Sequence, residues 1–389
     1  MRFLHTADWH VGKTLQGRSR AEEHEAVLAE IVDVARREEV ELSIVAGDLF
    51  DTAAPSPESE RIVFSALLEL GRVAPVVVFP GNHDNERRLA ALMPVFERAE
   101  VSIVPSVKPE CMKLEIGGEN VRLGVIPWLS QRYIVKASQL MAHDAGDLAQ
   151  HYDGRMKNIV AALASGFDGE SVNIFAAHMT IAGSELGGGE RTAQTIFDYY
   201  VAPNVFPSNC HYVALGHIHK MQAMPAPCPM HYCGAPLHLD FSDSTDAKNV
   251  LVVDASPGAP ASVRPIELAA GRRLRTIKGP LATLAGLTDT VGDDYLRVIV
   301  EERARIGLSD EIREMFPNAV KVIVDRGDEG RTEHVADRAG LSPDELFTRY
   351  LAERDTEDPA LVALFNELYT ESVDRGAGRE AEDHAPASA

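Results

Sequence analysis

Leu42-Ser43-Ile44-Val45-Ala46-Gly47-Asp48-Leu49-Phe50-Asp51 is a short apolar run that ends on a glycine and a carboxylate. An apolar run this short, bounded by a turn residue, reads as a buried strand, because a buried helix needs about ten positions or more. A carboxylate at the mouth of a buried strand is costly unless its charge is neutralised, and a cation is the direct way to do that. Taken alone, Gly47-Asp48 is more often an ordinary turn. Its meaning depends on its surroundings.

The same pattern recurs outward from it. Apolar runs stand at Arg2–His5, Val76–Phe79, Val121–Ile126, Val172–Ala177, Tyr212–Leu215 and Val250–Asp254. Asp8-Trp9-His10 follows the first run, Gly81-Asn82-His83-Asp84 follows Phe79, His178 ends the run at Ala177, and Gly216-His217-Ile218-His219 follows Leu215. Helical stretches lie between several runs, among them Ala21–Arg37 and Pro57–Leu70, the latter opened by Ser56 as N-cap and Pro57 at the first helical position. An α/β layered sandwich follows, with the polar motifs just past the carboxyl ends of the strands, where open α/β sheets bind ligands. Where two motif residues are two positions apart, as in Asp8-x-His10 and His217-x-His219, continued strand geometry puts both side chains on one face. Successive placement of these motifs is implausible by chance. Oxygen and imidazole donors without thiolate suit a hard or borderline divalent ion.

From Leu274 the texture changes to an alternating strand Tyr295–Val300, a short helix near Ser309–Met315 and a strand Val320–Val324, a small α+β domain. A junction is expected at 256–273, where Pro257, Gly258, Pro260 and Gly271 cluster. Ser342-Pro343-Asp344-Glu345 forms a capping box flanked by Leu341 and Leu346 as a hydrophobic staple. A second helix opens at Asp358-Pro359 and carries Leu361, Leu364, Phe365, Leu368 and Tyr369 on one stripe. Beyond Asp374 almost no large apolar residue remains, so disorder is expected there.

The chain has 389 residues, 45% of them hydrophobic and 25% charged, the balance of a soluble globular protein with room for more than one domain. No apolar run approaches the ~18 residues that span a bilayer. The N-terminus runs directly into Asp8 without a secretory h-region, so a cytoplasmic location is expected. Cys111, Cys210, Cys228 and Cys233 are too few and irregular for a disulfide framework. Cys228-x4-Cys233 with His231 between them departs from the usual zinc spacing, and no second metal site is expected there. The net charge is −21, and residues 341–389 carry 12 acids against 4 bases. This is not the basic footprint of a stand-alone nucleic-acid binder, so any grip on DNA must come from local loops, ions or a partner.

With its five motifs in this order, the sequence resembles the calcineurin-like metallophosphoesterases, and within them the meiotic recombination eleven nuclease family, most closely its bacterial SbcD branch. Further likeness lies in Leu49-Phe50-Asp51-Thr52, in Ala177-His178 before the Gly183–Gly189 loop, and in Tyr232-Cys233-Gly234-Ala235-Pro236-Leu237. Protein phosphatases of the superfamily place an arginine, which helps hold a phosphomonoester, where this chain has Thr52. The resemblance implies a four-layer α-β-β-α nuclease domain over 1–270, a capping domain over 274–340, a helical ATPase-docking segment over 341–373 and a disordered acidic tail over 374–389. It also implies that Asp8, His10 and His219 hold one ion, that Asn82, His178 and His217 hold the other, and that Asp48 bridges them. His83 would be general acid or transition-state stabiliser, oriented by Asp84. Manganese is the usual activator; magnesium, zinc and iron fit the same ligand types.

The implied function is a nuclease subunit, 3′ to 5′ exonuclease on duplex ends and endonuclease on single strands or hairpins. It would act in DNA break processing, in the nucleoid, with the SMC-like ATPase SbcC docked on 341–373 and a homodimer inside a heterotetramer. Relatives follow Gly-Asn-His-Asp with Ser-Pro, whereas this chain has Asn85-Glu86-Arg87-Arg88, so substrate approach differs there. Arg87, Arg88, Lys13, Arg18 and Arg20 are candidate phosphate contacts, with a solvated basic surface as the alternative. Two rivals remain: a phosphodiesterase for small substrates such as cyclic nucleotides, and a catalytically weak scaffold tethering an ATPase to DNA.

Overall fold

A computed structural model describes residues 1–129, 145–187, 200–242 and 247–325, together with Phe347, Thr348, Leu351, Leu361, Val362 and Phe365; of 145–151 it describes the backbone alone. Residues 1–325 form one unit and 326–389 a second. In the second, Phe347 and Phe365 stack with ring centroids 4.2 Å apart. The remainder of the expected docking segment (341–373), the tail (374–389), the cap's last stretch (326–340) and the end of the Gly183–Gly189 loop lie outside the described residues.

Two six-stranded sheets make the body. The first runs, edge to edge, β12 (Ala259–Glu267), β11 (Asn249–Ser256), β1 (Arg2–Thr6), β2 (Leu42–Ala46), β3 (Val76–Phe79) and β4 (Val101–Ile103). The second runs β5 (Met112–Ile116), β6 (Glu119–Ile126), β7 (Val172–His178), β8 (Tyr212–Gly216), β10 (Met230–Tyr232) and β9 (Gln222–Ala223). Strands β1 to β4 are mutually parallel, as are β6, β7, β8 and β10.

The period of two along each strand sorts its side chains into layers. On β2, Leu42, Ile44 and Ala46 enter a core between the sheets while Val45 enters an outer core; on β3, Val77 and Phe79 face inward and Val76 and Val78 outward. The second sheet mirrors this: Ile174, Ala176, Tyr212 and Ala214 point inward, and Phe175, Ala177, Val213 and Leu215 outward. Helices α1 (Ala21–Arg37), α2 (Pro57–Val73) and α3 (Glu86–Phe96) cover the first outer core, through Val27, Ile31, Ile62, Leu67 and Leu89, and Met156, Val160 and Leu163 of α4 (Ala145–Ala164) cover the second. These are the four layers, α-β-β-α. Each fully buried aliphatic side chain contributes roughly 1.5–3 kcal/mol, so the stacked cores carry the stability. Ser56 caps α2 by accepting from Ser59 N at 3.1 Å, and Asn85 caps α3 by accepting from Arg87 N and Arg88 N at 3.1 Å each.

One polar bridge crosses the inner core. Leu215 O can only accept, so His5 Nε2 donates to it at 3.2 Å, and the lone pair on Nδ1 then takes the Tyr212 hydroxyl at 3.0 Å. Burial keeps His5 neutral, its pKa pushed down to about 3.

The Pro/Gly cluster at 257–260 is not an interdomain junction. Gly258, with φ +78°, sits in the turn of a β11–β12 hairpin that completes the first sheet, so the passage to the cap shortens to 268–273. The small α+β unit expected as the cap starts at Leu274, where the texture changes, and holds one strand that the sequence did not mark: β13 (Leu274–Gly279), β14 (Tyr295–Val300) and β15 (Ala319–Val324) form a parallel sheet, packed with the helix Leu308–Met315 around Ile277, Leu296, Val298 and Ile312.

The cap is seated on the loop that follows the first motif. Leu15 and Phe241 pack with Leu274 and Tyr295 of the cap. Arg20, a candidate phosphate contact by sequence, is instead buried: it pairs with Glu23 through two bonds of 2.9 Å, donates to His238 O and lies over the Tyr295 ring. A guanidinium sealed in this way cannot reach solvent-borne phosphate. Arg272 N also donates to Glu23, at 2.8 Å, tying the passage strand to the same carboxylate. Arg20→Ala is expected to lower the unfolding free energy by about 2–4 kcal/mol, because the nearly buried Glu23 loses its counter-charge; a urea midpoint indistinguishable from the parent protein would show that apolar contacts alone seat the cap.

Candidate metal centre

All five motifs leave the carboxyl ends of β1, β2, β3, β7 and β8, and these ends meet at one edge of the sandwich. The loops after β1 and β2 run side by side, with Asp8 N, His10 N and Val11 N donating to Gly47 O, Asp48 O and Leu49 O, each at 3.0 Å. Strand geometry does not continue into the motifs. Asp8, His10 and Asp48 have φ of 53°, 46° and 52°, and His217 has 104°. Left-handed conformations at non-glycine residues cost of order 1–3 kcal/mol each and turn the side chains inward. Two glycines allow the close approach. A Cβ on Gly216 would stand 1.9 Å from Ala46 O, and one on Gly81 2.2 Å from Asp48 Oδ1.

The structure brings Asp8, His10, Asp48, Asn82, His178, His217 and His219 together. The potential donor atoms of Asp8, His10 and His219 lie within 4.8 Å of one another, as do those of Asp48, His178 and His217. Asp48 stands between the groups, with Oδ2 3.5 Å from His10 Nε2 and 3.5 Å from His178 Nε2. Asn82 Oδ1 is 3.0 Å from His178 Nε2 and 2.9 Å from His217 Nδ1. The Asp8 carboxylate accepts from His217 N at 2.9 and 3.1 Å, joining the first motif to the last. His178 Nδ1 donates to Ala46 O at 2.8 Å, which aims Nε2 at the cluster.

This donor set fits divalent metal ions. His10 Nε2 and His219 Nε2 face each other at 3.0 Å, and two neutral imidazoles can place one proton between them at most. Their lone pairs converge as ligand lone pairs do. Charges within the cluster offset one another. Burial alone would raise the Asp48 pKa, but the imidazoles of His178, His10 and His83 hold it far below the usual carboxylate range. Against its own desolvation, Asp48 pushes His178 up to about 9. Burial outweighs Asp48 at His10 and leaves that ring neutral.

His83 and Asp84 differ from expectation in one respect. Asp84 does not orient His83. Its carboxylate accepts from Gly81 N at 2.9 Å and from Leu49 N and Phe50 N at 3.1 Å each, clamping the loops after β2 and β3 together. Desolvation and then the Asp48 charge raise it to about 7, against those three amides. What orients His83 is the Asp51 carbonyl, which receives Nδ1–H at 2.8 Å. His83 N also donates to Asp48 Oδ1 at 2.8 Å, and the ring lies 4.7 Å from His10.

Trp128 was not singled out by the sequence. Two residues past β6, its backbone N–H donates to Pro80 O at 3.1 Å, and its ring lies 5.0 Å from His217 and 6.0 Å from His178. The available signal was its position at another strand end. Of the basic candidates, Lys13 pairs with Asp51 at 3.2 Å beside the site, Arg88 pairs with Glu60, and Arg18 and Arg87 are exposed. Cys228 and Cys233 enter different cores and share no site.

Comparison with known families places this geometry. The calcineurin-like phosphoesterase family matches residues 1–221, the span that contains every donor named above. The chain belongs to this family. Residues 270–355 match the type 5 capsule protein repressor C-terminal domain, which begins at the passage into the cap. The SbcD subunit of nuclease SbcCD from Bacillus subtilis is 30% identical over 385 residues, covering 95% of this chain and 97% of the relative. The SbcD subunits from Rhodobacter capsulatus and Escherichia coli K12 are 34% and 28% identical, covering 67% and 73% of this chain and 67% and 72% of their own lengths. Among phosphoesterases of the calcineurin type, this chain therefore stands with the SbcD subunits. Among the described residues no helix is long and apolar enough to cross a membrane.

An ion entering the centre must displace the His178 proton, which is held below a pH of about 9. Metal affinity should accordingly rise with pH, by up to about tenfold per unit between about pH 6 and 8. Calorimetric titrations in buffers of different ionisation enthalpy would read the released proton; a pH-independent affinity without proton release would contradict the assignment.

Proposed function

We propose that this metal-dependent nuclease subunit hydrolyses DNA phosphodiesters at a two-ion centre, with Asp8, His10 and His219 on one ion, Asn82, His178 and His217 on the other, and Asp48 shared. The observation that carries the reading is the position of Asp48, equidistant at 3.5 Å from an imidazole of each group. Two divalent ions there, manganese by family habit, would activate a water and offset charge on the phosphoryl oxygens. His83 supplies what the donors do not. With Nδ1–H committed to Asp51 O, a protonated Nε2 is free to donate to the leaving oxygen, and its half-buried ring is open to substrate. Asp84 acts through the backbone, holding the His83 loop against the Asp48 loop.

The relatives' names speak of a two-subunit nuclease. This chain is acidic at −21, so a partner supplies much of the DNA-binding surface. SbcC is the proposed partner, docked on residues 341–373 as a helix-in-groove contact, with two copies of each subunit in the assembly. Exonuclease polarity of 3′ to 5′ and hairpin opening follow from family likeness. A cyclic-nucleotide enzyme would have no use for the cap and docking segment. A scaffold would gain little from seven assembled donors.

The reading is tested by supplying the purified subunit, with and without the ATPase, with manganese and labelled duplex, hairpin and cyclic-nucleotide substrates. DNA should be cut, and hydrolysis of the cyclic nucleotide alone would overturn the proposal. His83→Ala should reduce cutting by at least about 100-fold while bound metal stays near the parent level; loss of metal as well would make His83 a ligand. Deleting 341–389 should abolish copurification with the ATPase and spare manganese-dependent hydrolysis, whereas an intact complex would place the docking site elsewhere.

A further inference from the structure

Trp128 touches the metal donors, yet the chemistry above gives it no task. Its ring is tilted 31° on His217 at 5.0 Å and meets His178 edge-on. Its backbone is tied to Pro80, next to Gly81-Asn82. Trp128 is only half-buried and, unlike Trp9, is part of none of the packed cores. The sequence has two tryptophans, and the other behaves differently: Trp9 is fully buried and donates Nε1–H to Thr6 Oγ1 at 3.0 Å. A partly exposed tryptophan beside a phosphodiester-cleaving centre has the form of a stacking platform, because every nucleobase offers a flat π-face whatever its identity.

We propose that Trp128 stacks on a nucleobase next to the scissile phosphate and thereby admits unpaired nucleotides to the centre. The inference rests on the nuclease reading and names a substrate feature of that same site. Inside a duplex both faces of a base are covered by its neighbours, so stacking on Trp128 requires a terminal, looped or extruded base. Ends, hairpin loops and single strands meet that condition without prior unstacking.

Because Trp9 is sealed, quenching of intrinsic fluorescence by a bound strand reports on Trp128. A short single strand with phosphorothioate linkages, which resist cutting, should quench the full-length protein, and an equally long strand of abasic sugars should not. In cleavage assays Trp128→Ala should raise KM for base-containing strands roughly 5- to 150-fold and erase the preference over abasic strands, with metal content retained; Trp128→Phe should recover most of the loss. Equal quenching by both strands overturns the proposal. So does a Trp128→Ala enzyme that loses its ions and regains KM at high metal, the signature of a residue that only holds His217. Base-selective quenching in a protein that cuts no DNA supports the platform and counts against the nuclease reading alone.

Discussion

At the carboxyl edge of the sandwich the Ala46 carbonyl of β2 receives the ring N–H of His178 from β7 across 2.8 Å, and the site is built around that contact between sheets. The inner core draws the two sheets together through Phe3, Ile44, Phe79, Ile174 and Tyr212, and the His5–Tyr212 bond spans them. At the edge, where the apolar side chains stop, Gly216 lets Ala46 come within a distance no Cβ would permit. With Nδ1 committed to a carbonyl, His178 presents Nε2 to Asp48 and Asn82. Ring orientation, tautomer and strand spacing thus come from one interaction.

Several features at this edge cost free energy: left-handed backbone at Asp8, His10 and Asp48, buried carboxylates, and imidazole nitrogens facing each other. Folding tolerates them because packed layers on both sides over-determine the loops, and bound cations would offset the charge. The strain is useful, since turned-in side chains aim at one point rather than along a strand. Asp84 contributes to the same positioning: by taking three amide hydrogens it fixes how the loops after β2 and β3 lie, and through them where Asp48 and His83 stand.

Much of this was legible in the chain. Largely apolar runs of four to six residues marked β1, β2, β3, β6, β7, β8 and β11 nearly to their ends, because a strand buried on both faces is apolar at most of its positions. Edge strands escaped notice for the converse reason. The exposed residues of β5 and β12 give no apolar run, and the Pro/Gly signal at 257–260, a hairpin turn, looked the same as a linker. Among site residues, donor type and placement at strand ends marked the five motifs, and the family resemblance singled out within them the seven candidate donors that the structure brings together. Adjacency misled at Asp84, where the neighbour in sequence resembles an orienting partner and the true one is the backbone of Asp51. Arg20 misled in the same way, since a basic residue near a motif says nothing of whether a cap will close over it.

Residue chemistry and local periodicity therefore specified which strands are buried, where each ends and what kind of ion its end would hold, since these depend on a few consecutive positions. Which ends meet is a property of packing. Asp8 and His217 are far apart in the chain and lie on different sheets, and only the inner core brings His217 N to the Asp8 carboxylate. The same holds for Trp128 against His217 and for Arg20 beneath the cap: contacts between distant segments are fixed by how layers stack, which no short window of sequence contains.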